Sequence, residues 1–98
     1  MRDFRTEVIV PRSVADTRAL ALEKLGSSLE DSGYERTEES ATALTYHRKS
    51  AFWWPVNRLS ADSTIRMTFE DQGGGRTRMV VAGNAPRSIA REFEKLEG

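Results

Sequence analysis

Residues 63–83, STIRMTFEDQGGGRTRMVVAG, place two alternating runs on either side of three consecutive glycines. In the first run, Ile65, Met67 and Phe69 point one way and the polar residues between them point the other. Consecutive glycines supply the positive φ angles of a tight hairpin turn. The pattern therefore predicts an antiparallel strand pair with one apolar face, and that face requires a covering layer.

Two one-sided helical patterns are candidates for that layer. Ser13 and Asp16 resemble a capping box, which predicts a helix from about Val14 to Asp31. At 100° per residue its apolar stripe comprises Val14, Ala15, Leu22, Leu25 and Leu29. A second helix is predicted to begin with Asn84 as its cap and Pro86 in its first turn. The apolar stripe of this second helix comprises Ile89, Phe93 and Leu96.

Further strands are predicted at residues 4–10, 34–39 and 43–49, which gives the order β-α-β-β-β-β-α. We expect a single domain over residues 1–98, of the α+β class, with both helices packed on one face of an antiparallel sheet. The predicted core consists of Leu22, Leu25, Leu29, Ile65, Met67, Phe69, Val81, Ile89 and Phe93.

This element order resembles the helix-grip, TATA-binding-protein-like architecture, which also frames START-type and polyketide-cyclase-like lipid-binding domains. The resemblance implies one candidate function, the carriage of a small apolar ligand or lipid between the sheet and the first helix. Such a carrier needs a cavity of at least about 300 Å³ under that helix. We expect a close-packed core there instead.

A second resemblance rests on ALTYHRKSAFWWPV, followed by STIRMTFEDQGGGRTRMVVAGNAPRSIAREFEKL. These segments are similar to small uncharacterised bacterial membrane-associated proteins, in which an LTYRR…WP segment leads into a hydrophobic hairpin. The resemblance implies a bacterial source and membrane association, and it carries no activity. The apolar part here is short, so the membrane hairpin of those proteins is expected to be absent or removed.

Composition and motifs exclude several functions. The formal net charge is zero and there is no cysteine. We therefore expect no nucleic-acid partner, no disulfide and no thiolate metal site. His47 is the only histidine, and no orienting partner for it is evident. No catalytic, metal-binding or cofactor-binding residue is predicted, and the chain is predicted not to be an enzyme.

The N-terminal residues MRDFRTEVIV mix charges with apolar residues, so they do not predict a signal peptide. No apolar run approaches the roughly 18 residues that span a bilayer. The expected location is the cytoplasm or the cytoplasmic face of a membrane. Arg66, Arg76 and Arg78 are expected on the open sheet face, either as a basic stripe for phosphates or as ordinary solvated residues with cross-strand partners.

The aromatic loop, residues 51–58, is the strongest candidate for a functional site. Its contiguous apolar residues, Phe52, Trp53, Trp54, Pro55 and Val56, cannot all face one core. It either folds back as a lid on the core or forms an exposed patch that contacts a partner. Arg48, Lys49 and Arg58 flank it, and tryptophan beside basic residues is typical of a membrane-interface anchor. We therefore predict a contact surface for a membrane or a protein, formed by these eight residues. A second copy is also open, since the sequence does not fix the oligomeric state.

Overall fold

The computed structural model describes residues 2–48, 52–53, 58–59 and 62–97, with the backbone alone for residues 52–53, 58–59 and 97. Five strands form one antiparallel sheet: β1 (Arg2–Val10), β2 (Glu35–Glu39), β3 (Ala43–Arg48), β6 (Ser63–Gly73) and β7 (Arg76–Ala85). Their order across the sheet is β1-β7-β6-β3-β2. The predicted α+β class and antiparallel meander are confirmed.

Two short strands lie in the stretch that the sequence predicts to be a loop. β4 (Phe52–Trp53) pairs with β5 (Arg58–Leu59) in a separate two-stranded antiparallel ladder. A loop without strands was therefore the wrong prediction at these positions. Contiguous apolar residues give no alternating signal, so the periodicity that identifies the longer strands fails here.

The helices cover one face of the five-stranded sheet. α1 (Val14–Ala21), a π-helical turn (Leu22–Gly26) and α2 (Ser27–Asp31) follow one another, and α3 (Arg87–Glu94) leads into a 3₁₀ turn (Lys95–Glu97). Six predicted core residues are buried: Leu29, Ile65, Met67, Phe69, Val81 and Phe93. The other three, Leu22, Leu25 and Ile89, are partly buried against that core. The predicted core is thus confirmed, and Phe4, Leu44 and Tyr46 extend it.

The π-helical turn changes which residues of the first helical stretch face the sheet. Ala21 and Gly26 are both buried although they are five residues apart, a spacing that belongs to a π turn and not to an α-helix. Before the turn, the predicted stripe is correct at Val14, which packs against the core. It is wrong at Ala15, which is exposed, whereas Thr17 faces the core.

Gly26 is required by a buried tyrosine. A Cβ atom at this position would overlap the hydroxyl oxygen of Tyr46. That hydroxyl is buried and has no hydrogen-bond partner among the described residues. Burial raises the pKa of Tyr46, and the nearby Arg36 guanidinium opposes part of the shift. Neutral Tyr46, on β3, therefore packs its hydroxyl directly against Gly26 of the π turn.

The last helix begins later than the sequence suggests. β7 continues through Asn84 to Ala85, and Pro86 occupies the N-cap position of α3. Asn84 was therefore wrongly predicted as the cap. Its side chain instead bonds to β6, where Oδ1 accepts a hydrogen bond of 2.9 Å from the Thr64 backbone N–H.

Candidate functional site

The aromatic loop lies within the connection between two neighbouring strands of the main sheet. β3 ends at Arg48, β6 begins at Ser63, and these two residues pair in the antiparallel register. β4 and β5 pair with each other and not with that sheet. Lys49, Trp54, Pro55 and Val56 lie outside the described residues. The side chains of Phe52, Trp53 and Arg58 do so as well, so their predicted contact role stays a prediction.

Arg48 is the one predicted site residue whose side chain the structure describes. Its guanidinium carbon lies 5.0 Å from the centroid of the Tyr34 ring, within cation–π range. It also donates a hydrogen bond of 3.2 Å to the backbone oxygen of Ser32, just past the end of α2. Arg48 thus connects the end of β3 to the end of a helix.

Beneath Arg48, a buried chain of hydroxyl groups crosses three parts of the fold. Ser63 Oγ donates a hydrogen bond of 2.6 Å to the Asn84 backbone oxygen. Because a serine has one proton to donate, the Tyr34 hydroxyl is the donor in the short hydrogen bond between Tyr34 and Ser63. Both side chains are buried. The chain fixes β6 to β7 and to the residue that precedes β2.

A more exposed cluster lies beside this chain on the open face of the sheet. His47 Nδ1 lies 2.9 Å from Thr64 Oγ1, and His47 Nε2 lies 3.4 Å from a carboxylate oxygen of Asp62. Asn84 Nδ2 donates a hydrogen bond of 3.0 Å to the Asp62 backbone oxygen. Side chains therefore hold the first residues of β6, at the end of the connection that contains the aromatic loop.

We call these residues together the loop base. They are Tyr34, His47, Arg48, Asp62, Ser63, Thr64 and Asn84. Sequence reasoning identified only Arg48 as a site residue. A signal for Ser63 was present, because it shares the parity of Ile65, Met67 and Phe69 and so belongs to the core face of β6. Nothing in the sequence signalled the pairing of Tyr34 with Ser63.

Two of the three arginines expected on the open sheet face, Arg66 and Arg78, lie beside acidic side chains. Arg78 donates to Glu7 and, at 2.9 Å, to Glu70, and Arg5 also pairs with Glu7. A hydrogen bond from Arg78, and to a smaller extent one from Arg5, lowers the pKa of the Glu7 carboxyl. In turn, hydrogen bonds to Glu7 and Glu70 raise the pKa of Arg78. Arg66 lies 3.6 Å from Glu38, across β3. The interpretation of these arginines as solvated residues with cross-strand partners is thus supported at Arg66 and Arg78.

Two grooves lie between the helices and at the sheet edge. One of about 420 Å³ separates the first helical stretch from α3 and is lined by apolar residues including Leu25, Ile89 and Phe93, with Lys24 and Glu92 also present. The other, of about 230 Å³, is lined by Val8, Leu20, Met79 and further residues around them. Between helix and sheet, by contrast, Leu44, Ile65, Met67 and Val81 are fully buried.

Within the described residues, no group of three or more histidine, cysteine, aspartate or glutamate side chains could hold a metal ion. Among the same residues, no helix has the length and apolar character needed to cross a membrane.

No family model, curated protein or solved structure matches this chain. The resemblances to helix-grip domains and to bacterial membrane-associated proteins therefore remain predictions.

Proposed function

We propose that this domain is a non-enzymatic binding module that attaches to an anionic membrane surface through the aromatic loop. One observation carries the proposal: β4 and β5 pair with each other and contribute nothing to the main sheet. The aromatic residues are therefore not needed as a strand of the sheet that forms the core. We infer that they form an apolar contact surface, since exposed apolar patches mark binding sites.

The chemistry of the loop favours a lipid surface. Tryptophan rings prefer the headgroup region of a bilayer, where the ring body is apolar and the indole N–H stays hydrated. Lys49 and Arg58 flank the aromatic residues, and a basic residue near an anionic surface contributes about 1 kcal/mol. We assign the lipid-facing charge to these two residues, because Arg48 is already bound to Tyr34 and Ser32.

The loop base supports the same proposal. It fixes both ends of the segment that carries the loop, through the Tyr34–Ser63–Asn84 chain on one side of the sheet and the His47 cluster on the other. Fixed ends lower the conformational entropy that is lost when a loop binds. The domain would then act as a rigid holder for a short aromatic anchor.

The test is co-sedimentation with vesicles of phosphatidylcholine, with and without phosphatidylserine. We expect the wild-type chain to bind the anionic vesicles, and expect the Trp53→Ser, Trp54→Ser double variant to lose that binding while keeping its circular dichroism spectrum. Reversing the flanking charges, with Lys49→Glu and Arg58→Glu, should also abolish binding.

Two matched controls remove similar groups from the open sheet face. Ile9→Ser deletes an exposed apolar side chain, and Arg66→Glu reverses an exposed charge. Both should bind vesicles like the wild type. A wild-type chain that ignores anionic vesicles, or a tryptophan variant that binds them unchanged, contradicts the proposal.

A second candidate, the carriage of an apolar ligand, is favoured by the groove beside Leu25 and Phe93. Its volume of about 420 Å³ falls in the range of small-molecule sites. A fluorescent fatty acid should then bind the wild-type chain and lose affinity in a Leu25→Arg variant, with Ile9→Ser as the control. Equal affinity in all three chains, or no binding, would remove this candidate.

A further inference from the structure

The two edges of the main sheet differ in how well they resist pairing. β2 is five residues long, every residue is exposed, and its register shifts between Arg36 and Glu38. Three of its residues are glutamates. Charged side chains and a bulge on an edge strand prevent another chain from adding to it.

β1 has neither the short length nor the bulge of β2, although four of its nine residues are charged. It is nine residues long and pairs with β7 in unbroken register from Arg2 opposite Ala85 to Val10 opposite Thr77. Within the described part of the chain, β7 is the only strand that pairs with β1. The opposite edge of β1 therefore presents a regular row of backbone donors and acceptors, which is a template for another strand.

We propose that β1 pairs antiparallel with β1 of a second copy of this chain, across a two-fold axis at Thr6. The two five-stranded sheets then form one continuous sheet, with the helices of both copies on the same side. The interface is isologous, since each strand presents the same residues to the other.

The residue pairs of this register are complementary on both faces. Facing residues of an antiparallel pair lie on the same side of the sheet. In a symmetric pair of β1 strands, the residue at the two-fold axis therefore faces the same residue of the other copy. With the axis at Thr6, Arg5 of each copy faces Glu7 of the other on the open face. On the helix-covered face, Phe4 faces Val8. This register uses all nine residues of the strand.

The neighbouring two-fold registers are opposed by charge. An axis at Arg5 places Arg5 opposite itself and Asp3 opposite Glu7. An axis at Glu7 places that carboxylate opposite its own copy. Like charges directly opposite each other destabilise a strand pair. In the Thr6 register no like charges face each other, and the remaining open-face pair is Asp3 with Ile9.

The Arg5 side chain is accessible to a second copy, since 59% of it is exposed. Within its own chain Glu7 binds Arg5 and Arg78. In the dimer the Arg5–Glu7 pair within each chain exchanges for the same pair between the two copies, while Arg78 stays bound to Glu7. β7 and β6 separate β1 from β3, where the aromatic loop begins, so this inference is independent of the proposed membrane function.

The test is sedimentation equilibrium of the full chain over a range of concentrations. We expect a reversible dimer for the wild type. Arg5→Glu alone and Glu7→Arg alone should each raise the dimer dissociation constant about tenfold, because two attractive pairs become repulsive. An equimolar mixture of the two variants should restore the wild-type constant, because one strand then carries two acids opposite two bases.

Controls separate this edge from other surfaces. Arg66→Glu, and the Trp53→Ser, Trp54→Ser variant, should dimerise like the wild type. Backbone amides along β1 should exchange more slowly at high chain concentration than at low concentration, a readout that needs no substitution. The proposal is overturned if the wild type stays monomeric, if Arg5→Glu leaves the dimer unchanged, or if the mixture of folded variants fails to restore it.

Discussion

The β6–β7 pair ends very differently at its two ends. At the turn end, Gly73, Gly74 and Gly75 all have positive φ angles, and a Cβ atom at any of them would meet nothing within 4 Å. At the other end, a Cβ atom at Gly83 would overlap the Thr64 carbonyl oxygen, and side chains complete the ladder where the backbone does not. One end is a free turn, whereas the other is tightly packed.

The difference shows where the fold constrains its own chain. The hairpin turn between β6 and β7 requires positive φ angles, which glycine adopts readily, and it does not require side chains packed around it. The loop base instead has a buried pair of hydroxyls, a cation–π contact and a histidine between two polar groups. Such an arrangement holds an attached segment in place, which is the requirement for a loop that acts as an anchor.

The largest expected effects test whether the two ends share one core. Ile65 lies near the loop base and Phe69 near the turn, and both are almost completely buried. We expect Ile65→Ala to cost about 2–5 kcal/mol and Phe69→Ala about 3–5 kcal/mol, because each leaves a cavity. Urea unfolding measures both. If one substitution leaves the midpoint unchanged, the two ends do not share one core.

Glycine substitutions at the two ends compare them directly. Gly83→Ala should cost about 3 kcal/mol, because the new methyl group overlaps the Thr64 oxygen and forces the strands apart. Gly74→Ala should cost about 1 kcal/mol, because it has a left-handed φ of 62° but open space around it. Thermal unfolding of the two variants measures the difference. Equal costs would mean that close packing at the loop base does not contribute to the free energy of unfolding.

The polar groups at the two ends form the next comparison. Ser63→Ala leaves the buried Tyr34 hydroxyl without its acceptor, and we expect a cost of about 1–3 kcal/mol. Asp71→Ala removes an exposed carboxylate that accepts a 2.8 Å hydrogen bond from the Gly73 N–H, and should cost less than about 1 kcal/mol. Denaturant titration ranks the two variants, and the reverse order would refute the assigned role of Ser63.

The smallest expected effect concerns the charge row beside the turn end. Arg78 and Arg5 hold the pKa of Glu7 below its ordinary value of 4.5 in the folded chain. The contribution of Glu7 to stability is therefore fully present above pH 4.5, and it is lost as the pH falls through the folded pKa. Glu7→Gln should flatten the loss of stability below pH 4.5, measured by urea midpoints across pH. Superimposable curves for the two chains would contradict the pairing.

The sequence predicts the parts of this fold that depend on periodicity. Ile65, Met67 and Phe69 alternate strictly, and their strand, face and burial are as predicted. The π turn has no periodic signature in the sequence, and the contact of Gly26 with Tyr46 beside it joins residues 20 positions apart (46 − 26 = 20). Asn84 was assigned to a helix cap because cap propensity is local, whereas its actual partners are on β6.

The candidate site divides in the same way. The contiguous apolar residues and the flanking basic residues identify the aromatic loop from the sequence alone. The loop base depends on pairings between distant residues, such as Tyr34 with Ser63, and side-chain pairings of that kind have no signature in one sequence. The two strands at residues 52–53 and 58–59, which pair with each other, were missed because each is too short to show alternation.

We propose that the loop base holds the aromatic loop as a membrane anchor. The most direct test uses a Trp54→Phe chain, in which Trp53 is the single tryptophan. This chain is mixed with anionic vesicles whose acyl chains carry bromine as a quencher. We predict that Trp53 emission shifts to the blue with unbrominated vesicles and is quenched by brominated ones. Emission that stays the same with and without either vesicle would contradict the claim.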